Sequence, residues 1–227
     1  MNSSEQHALP LLLRPAVTTA ELQRVALIRH QAYARHVPDF AAQLKLPERA
    51  DDQPGSLVFL AEAKDDGRPV GTMRLQSNRY APLPLEASVD LPTPYREALL
   101  IEATRLGVEA SDVGAVARNV LFKACYLASL KEGARWIVVT ARAPLDRIYE
   151  HLLFEDVFPG GQLFNMKHVG NLPHRVMALD VLRANEVWSD RSHPLYHFMT
   201  GIQHREIQLG RFREETVLQR AGSLKSY

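Results

Sequence analysis

Residues 96–109 read REALLIEATRLGVE, and the fold turns on whether that stretch is a helix or a strand. It fits a helix by propensity, and Leu99, Leu100, Ala103 and Leu106 would then share one face. Glu102 and Arg105, three residues apart, would pair on its surface. In a regular strand, residues three apart point to opposite faces of the sheet. Only a bulge would bring Glu102 and Arg105 to one place. The residues alone leave both readings open.

The flanking segments are plainer. VGAVARNVLFKACYLASLKEGA (113–134) predicts a helix ended by Gly133. A β-branched strand follows over 136–144, a helix over 145–156, and two strands over 162–169 and 174–182 around the turn GNLP. The tail from 183 offers HPLYHFM (193–199) as a short helix. Upstream, 11–17 reads as a strand and 18–36 as a helix with Thr19 as its N-cap and Pro38 as its stop. Residues 37–55 form a long loop, of a length that is often functional. Strands over 56–63 and 70–78 flank DDGRP (65–69), whose Asp and Gly suit a tight hairpin. Residues 81–94, with four prolines, read as a loop. Mixed strands with interleaved helices predict an α/β or α+β mixed sheet. One domain is expected over 1–182, with a C-terminal extension over 183–227 packing on or near it.

Composition narrows the class. The chain has 227 residues, 46% of them apolar, which suits one domain with a proper core. Lys plus Arg number 27 and Asp plus Glu 26, a net charge of +1, so nothing calls for nucleic acid or an anionic membrane. The single cysteine, Cys125, excludes a disulfide framework within the chain and reads as a core residue. The start MNSSEQHALPLLLRP lacks the basic onset and long apolar stretch of a signal peptide. No run approaches the ~20 apolar residues of a membrane span, so a soluble cytoplasmic protein is expected. His151 and His168 read as surface or satisfied side chains. No His/Asp/Glu cluster has metal-ligand spacing, so no metal is expected.

A family resemblance gathers these pieces. WIVVTARAPLDRIYEHLLFEDV (136–157) resembles the strand–helix unit of the GNAT acyltransferase superfamily, whose helix carries a Tyr and closes on Gly-Phe. Tyr149 and Phe154 keep that spacing, and Leu153 stands where Gly is usual. EATRLGV (102–108) resembles the E-x-x-R-[FL]-x-V segment of acyl-homoserine-lactone synthases and N-acyl amino acid synthases, where it is a central strand facing the reaction centre. LIRHQAY (27–33), through Arg29 and Tyr33, and GTMRL (71–75), through Arg74, resemble further segments of that group. GNLPHRVMALDV (170–181) resembles its closing strand, with His174 in place of Ala. The likeness spans roughly residues 20–182.

The resemblance implies a GNAT-like acyl-CoA N-acyltransferase fold and acyl transfer from a thioester to an amine. Glu102 would be the base, direct or through a water, with its pKa raised by burial. Tyr149 would protonate the departing sulfur. Arg29, Tyr33, Arg74 and Arg105 would bind the acceptor, with Arg29 and Arg74 holding the carboxylate of an amino acid. Acids after the first helix hold the amine of S-adenosylmethionine in the lactone synthases; Asp39, Asp51 and Asp52 are the candidates. Coenzyme A enzymes of the superfamily typically show [QR]-x-x-G-x-[GA] before the long helix, and SDVGAVA (111–117) keeps only part of it. Ser111 and Gly114 remain to meet one phosphate. That favours acyl carrier protein as partner and donor over acyl-CoA, and a long acyl chain lodged in an apolar tunnel lined by VLFKACYLASL. The expected function is an N-acyltransferase moving a long-chain acyl group from acyl carrier protein to the α-amine of an amino acid, with no bound cofactor. The rivals are a lactone synthase, a coenzyme A acetyltransferase and a non-catalytic GNAT-like binding module.

Overall fold

The ambiguous stretch is a strand, and it lies in the middle of the sheet. The structure, a computed structural model, describes residues 8–214. Among these, eight strands run in chain order: β1 (Leu11–Pro15), β2 (Ser56–Ala63), β3 (Pro69–Ser77), β4 (Leu100–Val108), β5 (Trp136–Ala141), β6 (Glu155–Asp156), β7 (Phe164–Met166) and β8 (Leu172–Asp180). In space the order is β1-β2-β3-β4-β5-β8-β6, with β7 also on β8. Only β4 and β5 pair in parallel; every other neighbour is antiparallel. The helices are α1 (Thr19–Ala34), α2 (Pro38–Ala41), α3 (Thr93–Arg96), α4 (Asp112–Glu132), α5 (Leu145–His151) and α6 (Ala184–Asp190).

Helix propensity lost at 100–108 because burial on both faces favours a central strand over a surface helix. Ile101 and Ala103 join Phe59, Met73, Leu75, Ile137 and Val139 in the main core, under Leu121 and Phe122 of α4. Leu100 joins Val138 and Ala178 on the opposite face, under Leu83, Leu85 and Leu91. Beside that cluster, Leu22 and Val25 of α1 cover Val58 and Leu60 of β2. The face opposite α4 thus has two covers, α1 and the 83–91 segment, with polar side chains between them.

Several boundaries move. Thr18, not Thr19, caps α1, because Thr18 and Glu21 form a reciprocal capping box. The helix stops at Ala34, before Pro38, which instead starts α2. The 37–55 loop holds α2 and two 3-10 turns, Ala42–Leu44 and Arg49–Asp52. The helix expected over 145–156 ends at His151, since Leu153 takes φ +65°, the left-handed conformation that Gly usually supplies there. Helix α4 ends on Gly133 at φ +78°. It is the one helix among the described residues long and apolar enough to cross a membrane, and it is mostly buried as the cover of the sheet.

The C-terminal segment holds α6, which the sequence reading left unassigned. Trp188 of α6 donates from Nε1 to the Leu152 carbonyl at 3.0 Å and meets Tyr126 edge-on. The short helix expected over 193–199 is a π-helical turn at His197–Gly201; the carbonyls of Phe198 in it and of Ile202 just beyond it accept from buried Lys123. The chain then runs beside β1, where Gln208 donates to the Leu13 carbonyl. Arg213 lies against β2, where Gly55 donates to the Arg213 carbonyl and the Arg213 N–H to the Ser56 carbonyl. The remainder of the expected extension, 215–227, and the N-terminal residues 1–7 lie outside the described residues.

Candidate active site

Between Thr72↔Gly107 and Arg74↔Thr104, the β3–β4 ladder sets two residues of β4, Arg105 and Leu106, against Met73 alone. This is a β-bulge, and its first residue, Arg105, has φ +56°. A regular strand would turn Arg105 toward α4. The bulge turns it to the face that carries Glu102 and Arg74. Leu106 still packs on the main core. The left-handed backbone costs on the order of 1–2 kcal/mol, which the contacts of the Arg105 side chain offset.

Those contacts form a buried charge cluster. Arg105 donates from Nε and Nη2 to the two oxygens of Glu48, each at 2.7 Å, and from Nη2 to the His168 carbonyl at 2.8 Å. Its guanidinium also lies over the Phe40 ring, 5.1 Å from the centroid. Arg74 donates from Nη1 to Glu48 and Asp51, both at 3.2 Å, and from Nε to the Thr104 hydroxyl. Arg29 donates from Nη1 to Asp51 at 2.8 Å and to Glu48 at 3.3 Å. Burial pushes the Glu48 and Asp51 carboxyls up, but the guanidinium contacts outweigh it and hold both below their ordinary values. Three guanidiniums thus surround two carboxylates. Burial, with Arg29 beside it, lowers Arg74.

Glu102 sits on the same face, on the last stretch where β4 and β5 pair. That pairing covers Leu100–Ala103 against Trp136–Val139, and beyond it the two strands share no ladder. Glu102 is fully buried. The Leu85 backbone N–H donates to its Oε2 at 3.1 Å, while Oε1 has no hydrogen-bond partner. Burial drives its pKa up to about 8, against the opposing pull of Leu85, Arg74 and Arg105. His168 Nε2 lies 3.6 Å from Oε1. A cleft of about 430 Å³ opens here, lined by Phe40, Glu48, Arg74, Pro84, Arg105, Lys167 and His168 among others.

The structure therefore gathers Glu102, Arg29, Arg74 and Arg105 around one site, but with the arginines engaged differently from the expectation. Arg29 and Arg74 were expected to hold an acceptor carboxylate; both are paired with the chain's own acids, and Arg29 is buried beneath them. Tyr33 lies against Phe40, ring centroids 5.8 Å apart. Tyr149 is buried between Phe122 and Phe154, and burial raises its pKa, so it remains a neutral hydroxyl. Of the candidate acids, Asp51 enters the cluster. Asp52 is exposed and pairs with Arg213, and Asp39 is exposed on α2.

Ser111 and Gly114 meet at the start of α4. The Gly114 N–H donates to Ser111 Oγ, and Ser111 Oγ donates to Glu109. Only glycine fits at 114, since a Cβ there would lie 2.0 Å from the Glu109 carbonyl. The segment expected to line a tunnel is closed: Phe122, Cys125, Tyr126 and Tyr149 surround a void of about 10 Å³. Cys125 is buried, and burial raises its thiol to about 12.

Two residues at the centre escaped the sequence reading. Glu48 stands in the PERADD stretch, and only its neighbours Asp51 and Asp52 drew notice. His168, expected at the surface or satisfied, has an 11% exposed side chain and an unpartnered Nδ1. His151 is exposed. Among the described residues no group of three or more His, Cys, Asp or Glu could hold a metal ion.

No protein-family model matches the chain, and no curated protein sequence does. Solved structures do. The chain is similar to FeeM, an N-acyl amino acid synthase from uncultured soil microbes, at 16% identity and a TM-score of 0.62, over 83% of this chain and 97% of that one. It is similar to BjaI, a CoA-dependent acyl-homoserine lactone synthase solved with SAM and isopentyl-CoA, at 18% identity and a TM-score of 0.54, over 94% and 99%. An acetyltransferase of the GNAT family from Staphylococcus aureus Mu50 aligns at 10% identity and a TM-score of 0.51, over 75% and 99%. At these identities the likeness shows the fold: the chain has the GNAT acyltransferase fold, as the sequence motifs imply.

Proposed function

We propose that the chain is an N-acyltransferase that moves a long-chain acyl group from an acyl carrier protein thioester to the α-amine of an amino acid. The observation that carries this reading is Glu102: a fully buried carboxylate with a pKa near 8, one oxygen unpaired, set where β4 and β5 part beside a 430 Å³ cleft. Making an amine nucleophilic requires removal of a proton from its ammonium form, and a base tuned near neutrality does this best. The parted strand edges offer main-chain groups to an extended phosphopantetheine arm, and Tyr149 keeps its proton for the departing sulfur.

The start of α4 favours the carrier-protein donor. Ser111 already occupies the Gly114 amide, and the Glu109 carboxylate stands next to that end of the helix. A negative side chain there opposes the pyrophosphate of coenzyme A. Carriage of the acyl chain on such a protein belongs with a cytoplasmic location. A long chain must open the seam beneath α4, where the void is only about 10 Å³.

A second reading, acyl-homoserine-lactone synthesis, draws on Glu48. Its carboxylate is 22% exposed at the cleft wall, after the first helix, where those enzymes hold an amine with acids. The test is acyl transfer by the purified chain, with acyl carrier protein and coenzyme A thioesters of graded length, offered amino acids and S-adenosylmethionine, and products read by mass spectrometry. An N-acyl amino acid, lost in Glu102→Gln, is expected. A lactone would establish the second reading, and no amide product from any pairing would overturn both.

A further inference from the structure

Glu102 is cut off from the cleft by the residue beside it. Glu102 is 0% exposed and does not line the cleft, whereas His168 does. On the path from the cleft to the carboxylate, His168 therefore stands between the two. His168 Nε2 faces Glu102 Oε1 at 3.6 Å and the Thr140 hydroxyl at 3.3 Å. The ring's other nitrogen, Nδ1, and Glu102 Oε1 are both buried without a partner. Buried polar atoms are rarely left so, and two on one line of transfer call for a proton or a ligand between them.

We propose that His168 is a catalytic residue that passes the acceptor's proton from the cleft to Glu102. This rests on the transferase reading above. The step balances without charging the imidazole. Before it, the acceptor is an ammonium, His168 is neutral with its proton on Nε2, and Glu102 is a carboxylate. A bridging water carries a proton from the ammonium to Nδ1, which is itself buried, as the Nε2 proton moves to Glu102 Oε1. After it, the acceptor is a free amine, His168 is neutral with its proton on Nδ1, and Glu102 is a carboxylic acid. The amine then attacks the thioester carbonyl; the C–N bond forms and the C–S bond breaks. The departing sulfur takes the Tyr149 proton, the nitrogen's second proton restores Tyr149, and Glu102 later returns its own through His168 to water.

The surroundings select this shuttle over an imidazolium. Arg105 from β4 and Arg74 from β3 face the ring, as does His174 from β8; Glu48, and Glu102 when ionised, oppose them. With burial as the largest cause, they lower the His168 pKa to about 3. Arg105 also fixes the backbone, because its Nη2 donates to the His168 carbonyl. Around Glu102 the facing groups are the Leu85 N–H, Arg74, Arg105 and Glu86.

The test is nitrogen-15 NMR of the imidazoles in the full-length protein, followed through the Glu102 titration. The His168 proton is expected to sit on Nε2 above the midpoint and on Nδ1 below it, and Glu102→Gln is expected to abolish the change. Alongside, His168→Gln, which keeps a hydrogen-bonding amide but cannot shuttle, should lose roughly 100-fold in kcat with little change in KM. A tautomer that is constant with pH, or wild-type turnover in His168→Gln, overturns the proposal. If the wild-type chain acylates no amine while the tautomer change persists, the shuttle stands and the transferase reading falls.

Discussion

Arg105 grips Glu48 through two parallel N–H···O bonds of 2.7 Å, and it does so from a residue that a regular strand would have turned to the other face. The bulge in β4 is what makes the pair possible. Lysine keeps the charge but has no fork. Arg105→Lys is therefore expected to lose one bond to Glu48 and the bond to the His168 carbonyl. A fall in kcat/KM of about 10- to 100-fold should follow, a cost of roughly 1.4–2.8 kcal/mol. Steady-state kinetics checks it; an unchanged kcat/KM would show that the fork only braces the fold.

Glu102 is costly to the fold. It keeps its proton up to about 8 in the folded chain, but gives it up near 4.5 in an unfolded one. Between those values the folded state binds more protons, so stability falls as pH rises. Glu102→Gln removes the titration and keeps an acceptor for the Leu85 N–H. The variant should be inactive yet more stable at pH 8, by on the order of 2–5 kcal/mol, with the gain vanishing toward acid pH. Denaturant unfolding across pH measures it.

Glu48 and Asp51 titrate with the opposite sign. Both are held below their ordinary values, so the stability they add is present above the ordinary carboxylate range and lost as pH falls through their folded values. Glu48→Gln leaves three guanidiniums around Asp51 alone. An uncompensated buried charge of this kind costs about 3–5 kcal/mol. The variant's melting temperature should drop most at neutral pH, and the gap to wild type should narrow in acid.

Donor choice can be shifted at the start of α4. Glu109 accepts from Ser111 and pairs with Arg68. Glu109→Gln removes the negative charge beside the helix N-terminus and leaves Arg68 to Asp65 and Asp66. The KM for an acyl-CoA should fall about 2- to 5-fold, with that for the acyl carrier protein thioester changing less. Equal effects on both donors would mean that the phosphates bind elsewhere.

The β2–β3 hairpin and α4 were legible because their signals are local: two short strand segments about a DDG turn, and a long apolar run closed by Gly133. The 96–109 stretch was not, because its helix propensity is overruled by neighbours on both sides of the sheet. The charge cluster was legible only in halves. Arg29, Arg74 and Arg105 drew notice through the motifs, and their roles were assigned as if they faced an open site. Nothing near Glu48 in sequence reveals that three guanidiniums from α1, β3 and β4 converge on it. His168 is in the same position, since its meaning lies in a contact with a residue sixty-six positions earlier.

The return of Arg213 to β2 bears on the order in which the fold is assembled. The loop that carries Glu48 and Asp51 is fastened at its far side by Arg213, which pairs with Asp52 and hydrogen-bonds with Gly55 and Ser56. Synthesis delivers Arg29, Glu48, Asp51, Arg74 and Arg105 well before Arg213. On the ribosome, the arginines can close on the acids first, and the far side of the loop is fastened only once Arg213 has emerged.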